Sequence, residues 1–200
     1  MNKRKGLLAA TVLICCAIAG GGTIAYYTYE DVAHNVITSG GVTIELVEKS
    51  QQSDGTLIDF PKEGITGVMP GERVSKIVSV KNTGSSDAWI RVVVDTRIND
   101  VSNTSLPTEI QVGNNNQSVI QFTIDNENWT YRDGYCYYNK PVKAGESTSV
   151  LFDSVVFNKH TPNEYQNCTS YIDVCAQAVQ VDNNGEDVLQ AQGWPEENKQ

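Results

Sequence analysis

The chain of 200 residues is acidic, with 15 Lys and Arg side chains against 24 Asp and Glu, and its isoelectric point is about 4.7. A chain this acidic is a poor candidate for binding nucleic acid or anionic membrane surfaces, and we predict no nucleic-acid partner. The length and the 40% share of hydrophobic residues suffice for one domain with a core of its own.

The first residues have the three-part layout of a secretory signal peptide. Residues 3–5 are basic, residues 7–19 form a nearly unbroken apolar run, and glycines 20–22 interrupt it. The alternative is a retained membrane anchor. The apolar run is too short for that, because a spanning helix needs about 20 residues.

A cleavage site follows the glycines. Ala25 ends a Thr-Ile-Ala stretch of small residues, so we predict a signal peptide over 1–25 and cleavage between Ala25 and Tyr26. The segment removed holds three basic and no acidic residues, which leaves 12 basic against 24 acidic side chains and a formal charge of −12. The mature protein is therefore expected to be secreted, to the extracellular matrix or the cell surface, with subunits that repel one another at neutral pH.

The mature chain is dominated by strand patterns separated by turn residues. Residues 42–47 alternate apolar and polar, and residues 88–98 place one apolar face toward a core. Asp133-Gly134 between aromatic runs predicts a hairpin. Further strands are expected over residues 74–80, 119–124, 149–157 and 171–181.

These short strands at even spacing predict an all-β fold. We expect an antiparallel β-sandwich with jelly-roll-like topology, with immunoglobulin-like topology as the alternative. The predicted organisation is an N-terminal arm over 26–39, the sandwich domain over 40–181 and a flexible acidic tail over 182–200.

The sequence offers no recognisable catalytic site. His34 and His160 are the two histidines, and neither has a second histidine at metal-binding spacing. We therefore assign no catalytic residue and no cofactor, and leave metal binding open. The mature cysteines are Cys136, Cys168 and Cys175, an odd number that allows at most one internal disulfide and leaves their redox state open.

Several stretches resemble the TasA and camelysin family, whose members carry a signal peptide processed by a SipW-type signal peptidase. The resemblance covers the signal peptide and most of the mature domain, and lies in residues 21–28 (GGTIAYYT), 35–40 (NVITSG), 42–46 (VTIEL), 69–72 (MPGE), 80–84 (VKNTG), 88–92 (AWIRV), 137–138 (YY) and 145–146 (GE).

The resemblance implies a secreted jelly-roll subunit of bacterial biofilm-matrix fibres. Its partners would be other copies of itself, the SipW-type peptidase and further matrix proteins. The camelysin name implies a second function, a secreted or surface-associated metalloprotease, but no residue of this sequence matches a metal site for it. A surface adhesin is a third hypothesis, which lacks a sorting motif near the C-terminus.

The arm over 26–39 suggests how such fibres assemble. Val32, His34, Val36 and Thr38 share one face if the arm is extended, and Gly40-Gly41 supplies a hinge after it. We expect the arm to add as a donated strand to a neighbouring subunit. The alternatives are a first strand folded into its own domain, or a disordered terminus.

Overall fold

The structure is a computed structural model that describes residues 27–31, 35–38, 42–62 and 64–195. Within these residues the regular elements are β-strands and one 3-10 turn, Asn163–Tyr165, with no α-helix. Two sheets pack face to face around an apolar core. The predicted all-β sandwich is confirmed. The signal peptide and its cleavage site lie outside the described residues.

The larger sheet, sheet A, has eight strands in the described part of the chain. Its hydrogen-bonded order is β12-β13-β7-β15-β1-β5, with β2 also paired to β15 and β8 paired to β7. The strands are β1 (Tyr27–Asp31), β2 (Asn35–Thr38), β5 (Ile65–Val68), β7 (Ala88–Asn99), β8 (Ser105–Leu106), β12 (Trp129–Arg132), β13 (Tyr135–Tyr138) and β15 (Thr169–Gln180).

The smaller sheet, sheet B, has five described strands in the order β11-β14-β6-β3-β4. A separate hairpin lies in the polar stretch after β7. The strands of sheet B are β3 (Ile44–Gln51), β4 (Leu57–Asp59), β6 (Arg73–Asn82), β11 (Ile120–Phe122) and β14 (Phe152–Phe157), and the hairpin consists of β9 (Glu109–Val112) and β10 (Asn115–Ser118).

The centre of sheet A is the long antiparallel pair of β7 and β15. The pairing runs from Ala88 opposite Gln180 to Asn99 opposite Thr169. The inward residues of both strands are almost completely buried, as the period-2 pattern of residues 88–98 predicts. They include Ala88, Ile90, Val92, Ile98, Ile172, Val174, Ala176 and Ala178.

The hairpin at Asp133-Gly134 forms as predicted. Arg132 pairs with Tyr135 across a two-residue loop. Asp133 has φ 51° and Gly134 has φ 87°. Positive φ at both central residues is what a type I′ hairpin turn requires.

The C-terminal strap, which we define as residues 181–195, differs from the predicted flexible tail. Val188 is 2% exposed and Ala191 is 8% exposed, and both pack against the outer side of sheet A beside Trp89 and Val179. Trp194 meets Tyr137 edge-on at a centroid distance of 5.9 Å. Val188, Ala191 and Trp194, which fall within the predicted tail, thus pack against sheet A in the structure. The prediction followed the mostly polar and acidic composition of this segment. Its few apolar residues are the ones that become buried against the sheet.

Arg91 fastens the same region. Its guanidinium lies 3.8 Å from the centroid of the Tyr135 ring and 4.6 Å from that of Trp194. Its Nε donates a hydrogen bond to Gln177 at 2.7 Å. An arginine placed between aromatic rings gains cation–π attraction, so this residue joins the strap to both β13 and β15.

Candidate assembly site

The N-terminal arm is folded into sheet A of its own chain. β1 pairs in parallel with β15, from Thr28 opposite Thr169 to Asp31 opposite Ile172. On its other side β1 pairs antiparallel with β5. β2 continues along β15, from Asn35 opposite Cys175 to Thr38 opposite Ala178. Within this single chain the arm therefore forms a first strand of the domain.

The two arm strands follow the same edge of β15. The register advances by four residues along the arm, from Asp31 to Asn35, and by three along β15, from Ile172 to Cys175.

The residues predicted to form a donor strand are only partly placed. Val32 and His34 lie outside the described residues. Val36 pairs with Ala176 and keeps 36% of its surface exposed, and Thr38 pairs with Ala178. In the described residues, β2 is therefore attached to the domain by its backbone pairing with β15. The side chain of Val36 is too exposed to add much to this attachment.

The arm fills a slot that the rest of the domain leaves open. β15 is held along its other edge by β7, so the arm supplies the described partner on this side. β5 stands at the end of sheet A and pairs with β1. Without the arm, the backbone N–H and C=O groups along one edge of β15 and of β5 would lose their hydrogen-bond partners. Unpaired backbone groups in the middle of a sheet destabilise the fold.

A second opening lies on the opposite side of the sandwich. It is a cleft of about 700 Å³ between β7, β11 and the turn that joins β12 to β13. The described residues that line it include no charged side chain. The lining residues are Val94, Thr96, Gln117, Ser118, Ile120, Gln121, Phe122, Thr123, Ile124, Tyr131, Gly134 and Cys136.

Two strand edges border this cleft. β7 pairs with β13 at Arg91 and Val92 and with β8 at Ile98 and Asn99. β11 pairs with β14 in the described sheet.

The three cysteines in the described residues form no disulfide with one another. Cys136 and Cys168 are buried, and burial raises the pKa of both thiols. Cys175 is half-buried on β15, directly opposite Asn35 of the arm. A raised pKa keeps a thiol protonated and unreactive, so Cys136 and Cys168 act as core residues.

The described residues bring no metal-binding groups together. No three His, Cys, Asp or Glu side chains among them converge on a point. His160 is exposed, and its backbone N–H donates to Asn158 Oδ1 at 3.0 Å. His34 falls outside the described part of the chain.

The chain was compared with protein-family models, curated proteins and solved structures. No family model, no curated protein and no solved structure matches it. None of the helices in the described ranges is long and apolar enough to span a membrane.

Sequence reasoning missed two features of this region. The parallel pairing of the arm with the last strand brings residues 28 and 169 together, and no local pattern signals a contact at that separation. The cleft is formed by β7, β11 and the β12–β13 turn, which are remote from one another in the sequence. The strand patterns themselves were the only available signal.

Proposed function

We propose that this chain is a secreted structural protein that assembles into extracellular biofilm-matrix fibres by exchange of its N-terminal arm. The observation that carries the proposal is the placement of β1 and β2 in a slot bounded by β15 and β5. The arm occupies this slot through backbone pairing with β15 and β5. The arm of a second copy has the same backbone groups and can pair in the same way.

Exchange of the arm converts a closed monomer into an open chain of subunits. In the monomer the arm pairs with its own β15, and in the fibre it pairs with β15 of the next subunit. The hydrogen bonds are the same in both states, which is the condition that makes exchange of an identical element inexpensive. Each subunit then donates at one end and accepts at the other, and such a head-to-tail contact grows into a filament unless the rotation closes a ring.

The sequence supplies what this exchange needs. Gly40-Gly41 follows the arm and gives the backbone the freedom to leave the domain. The predicted signal peptide precedes the arm directly, so removal of residues 1–25 by a SipW-type signal peptidase would free the arm after export. The proposal therefore links export to assembly. Arm exchange adds an assembly mechanism to the fibre function that the resemblance to the TasA and camelysin family implies. It rests on that resemblance.

The experiment uses Cys175 as a reporter of the arm. Asn35 faces Cys175 across the parallel ladder, so the variant Asn35→Cys places two cysteines at partnered positions. Neighbouring strands lie about 4.8 Å apart, within the Cα separation of roughly 4.4–6.8 Å that a disulfide accepts. Oxidation of the monomer is expected to lock the arm in its own sheet and to abolish fibre growth, with recovery after reduction.

Oxidation after assembly gives the complementary result. If the arm has moved to a neighbour, the same disulfide now joins two subunits, and non-reducing electrophoresis shows a ladder of covalent multimers. Val36→Cys is the matched control, because it faces Ala176 and has no cysteine opposite. Fibres that grow from the locked monomer would exclude arm exchange and leave the fibre function standing. Failure of the unmodified mature protein to form fibres under any condition would refute the proposed function.

A further inference from the structure

One asparagine adds polar contacts between the C-terminal strap and the end of β15, beside the apolar contacts of Val188, Ala191 and Trp194. Asn184 Nδ2 donates to the carbonyl oxygens of Gln180 and Gln192, both at 3.0 Å. Asn184 Oδ1 accepts from the backbone N–H of Gln192 at 2.8 Å. A single side-chain amide thus joins residue 180 to residue 192 and closes the loop between them.

This asparagine is followed by a glycine. Asn184-Gly185 is the only Asn-Gly pair in the sequence, and Gly185 is exposed with φ 83°. In an Asn-Gly pair the glycine carries no side chain to hinder its backbone nitrogen from approaching the asparagine amide carbon, and glycine tolerates the backbone change that the approach needs.

We propose that Asn184 is a self-modification site whose deamidation releases the C-terminal strap. The nitrogen of Gly185 attacks Cγ of Asn184 and loses its proton, and the side-chain amide leaves as ammonia, which gives a five-membered succinimide. Water then opens the ring to aspartate or isoaspartate. The net change is asparagine and water to an acid and ammonia, without oxidant or cofactor.

The closed strap protects the amide and the open strap exposes it. Ring closure requires the Asn184 side chain to turn toward Gly185 and to give up its bonds to Gln180 and Gln192. The reaction therefore proceeds from conformations in which the strap has already loosened. Local opening of this kind is expected for a segment attached by few apolar contacts.

The product cannot fasten the strap again. A carboxylate has no N–H to donate, so the carbonyl oxygens of Gln180 and Gln192 would face a negative group in place of a donor. The new charge also joins Asp182, Glu186 and Asp187 on the same short loop. Deamidation thus converts a reversible opening into a permanent one and uncovers the surface around Trp89 and Val179.

Asn82 provides an internal control for Asn184. Asn82 makes a similar clamp, with Nδ2 donating to Ser86 and Val142 carbonyls and Oδ1 accepting from Gly84 N–H. Asn82 is completely buried and is followed by Thr83, whose branched side chain obstructs ring closure. We expect Asn82 to stay intact under conditions that modify Asn184.

The experiment ages the purified mature protein in mildly alkaline buffer and follows it by peptide mass mapping. The expected result is a mass gain corresponding to replacement of NH₂ by OH at Asn184, and none at Asn82. A glutamate-specific protease is expected to cleave the chain at Glu186 about ten times faster in the aged protein. The reason is the loss of the two hydrogen bonds that Asn184 Nδ2 donates.

Two variants separate modification from a simple charge effect. Asn184→Asp, which mimics one product, is expected to show the faster cleavage at once, together with a red-shifted tryptophan emission from Trp89 and Trp194. Asn183→Asp adds the same charge at the preceding exposed residue and is expected to keep the strap closed. The proposal is overturned if Asn184 ages no faster than Asn82, if Asn184→Asp stays closed, or if Asn183→Asp opens equally.

Discussion

The most unexpected residue is a lysine in the core. Lys76 is completely buried on β6, and its Nζ lies 2.7 Å from Glu48 Oε1 on β3. The Phe60 ring centroid is 4.0 Å from the same nitrogen. Moving one charge into an apolar interior is expensive, and the pairing with Glu48 and the aromatic ring offsets much of that cost.

The ion pair makes a prediction about stability. Lys76→Met leaves the Glu48 carboxylate buried without its cation, so we expect the free energy of unfolding to fall by about 3–5 kcal/mol. The double variant Lys76→Met with Glu48→Met should recover most of this loss, because neither side chain then carries a buried charge. Urea unfolding followed by circular dichroism measures both values.

A neighbouring ion pair provides the control. Lys49 Nζ contacts Asp59 at 2.5 Å on the exposed side, with 39% and 88% of the two side chains accessible. Lys49→Met should change stability little, since water screens an exposed pair. A Lys76→Met variant that is as stable as Lys49→Met would show that the buried pair contributes nothing.

Among the elements, the arm and the strap both act on β15, from different directions. β1 and β2 complete the edge of this strand, and the strap covers its outer face at Val179. β7 alone pairs with it along its whole length. The arm can thus leave β15 without breaking this central pair, which is why we propose that the arm mediates assembly.

The arm can be tested as a separate piece. A chain that begins at Gly40 lacks β1 and β2, so we expect it to fold around β7 and β15, to lose stability and to form no fibres. A peptide of residues 26–39 should bind it and restore much of that stability by refilling the slot. Thermal unfolding with and without the peptide measures the effect.

A proline-substituted peptide is the control for the arm. Proline at several positions of residues 27–31 and 35–38 removes backbone N–H groups of the ladder, so this peptide should bind more weakly. A truncated chain that still forms fibres like those of the mature protein would contradict arm exchange.

For the whole molecule, charge sets the conditions of assembly. The mature chain carries 12 basic and 24 acidic residues, if residues 1–25 are removed. Subunits of the same sign repel one another, and salt screens that repulsion over a Debye length of about 10 Å at 0.1 M. Protonation of carboxylates reduces the charge itself.

We therefore expect fibre growth to accelerate as the pH falls toward the isoelectric point of about 4.7, or as salt is added at neutral pH. Light scattering against pH and salt concentration measures this. Assembly that is fastest at high pH and low salt would disagree with the charge argument.

At low pH the stability of the folded subunit also changes. Hydrogen bonds from Thr56, Lys49 and Asn128, respectively, lower the pKa of Asp54, Asp59 and Asp125 below the ordinary value of 3.8. A carboxyl whose folded pKa is depressed stabilises the fold above its unfolded pKa, and this stabilisation is lost as the pH falls through the folded value. The subunit should thus lose a small part of its stability as the pH falls below about 3.8, because water screens these exposed groups.

The sequence by itself predicted the longer strands β3, β6, β7, β14 and β15 and the inward face of β7, but not the short strands β4, β5, β8, β9 and β10. The alternation at residues 88–98 and the Asp133-Gly134 turn are local signals, and the structure bears both out because a strand's side-chain period and a turn's φ angles are local properties. Tertiary structure alone decided what lies against those strands. The outward Trp89 is buried because the strap crosses it, and Lys76 is tolerated in the core because Glu48 arrives from another strand. The parallel pairing of the arm with β15 likewise depends on contacts between residues far apart in the chain, which no local pattern encodes.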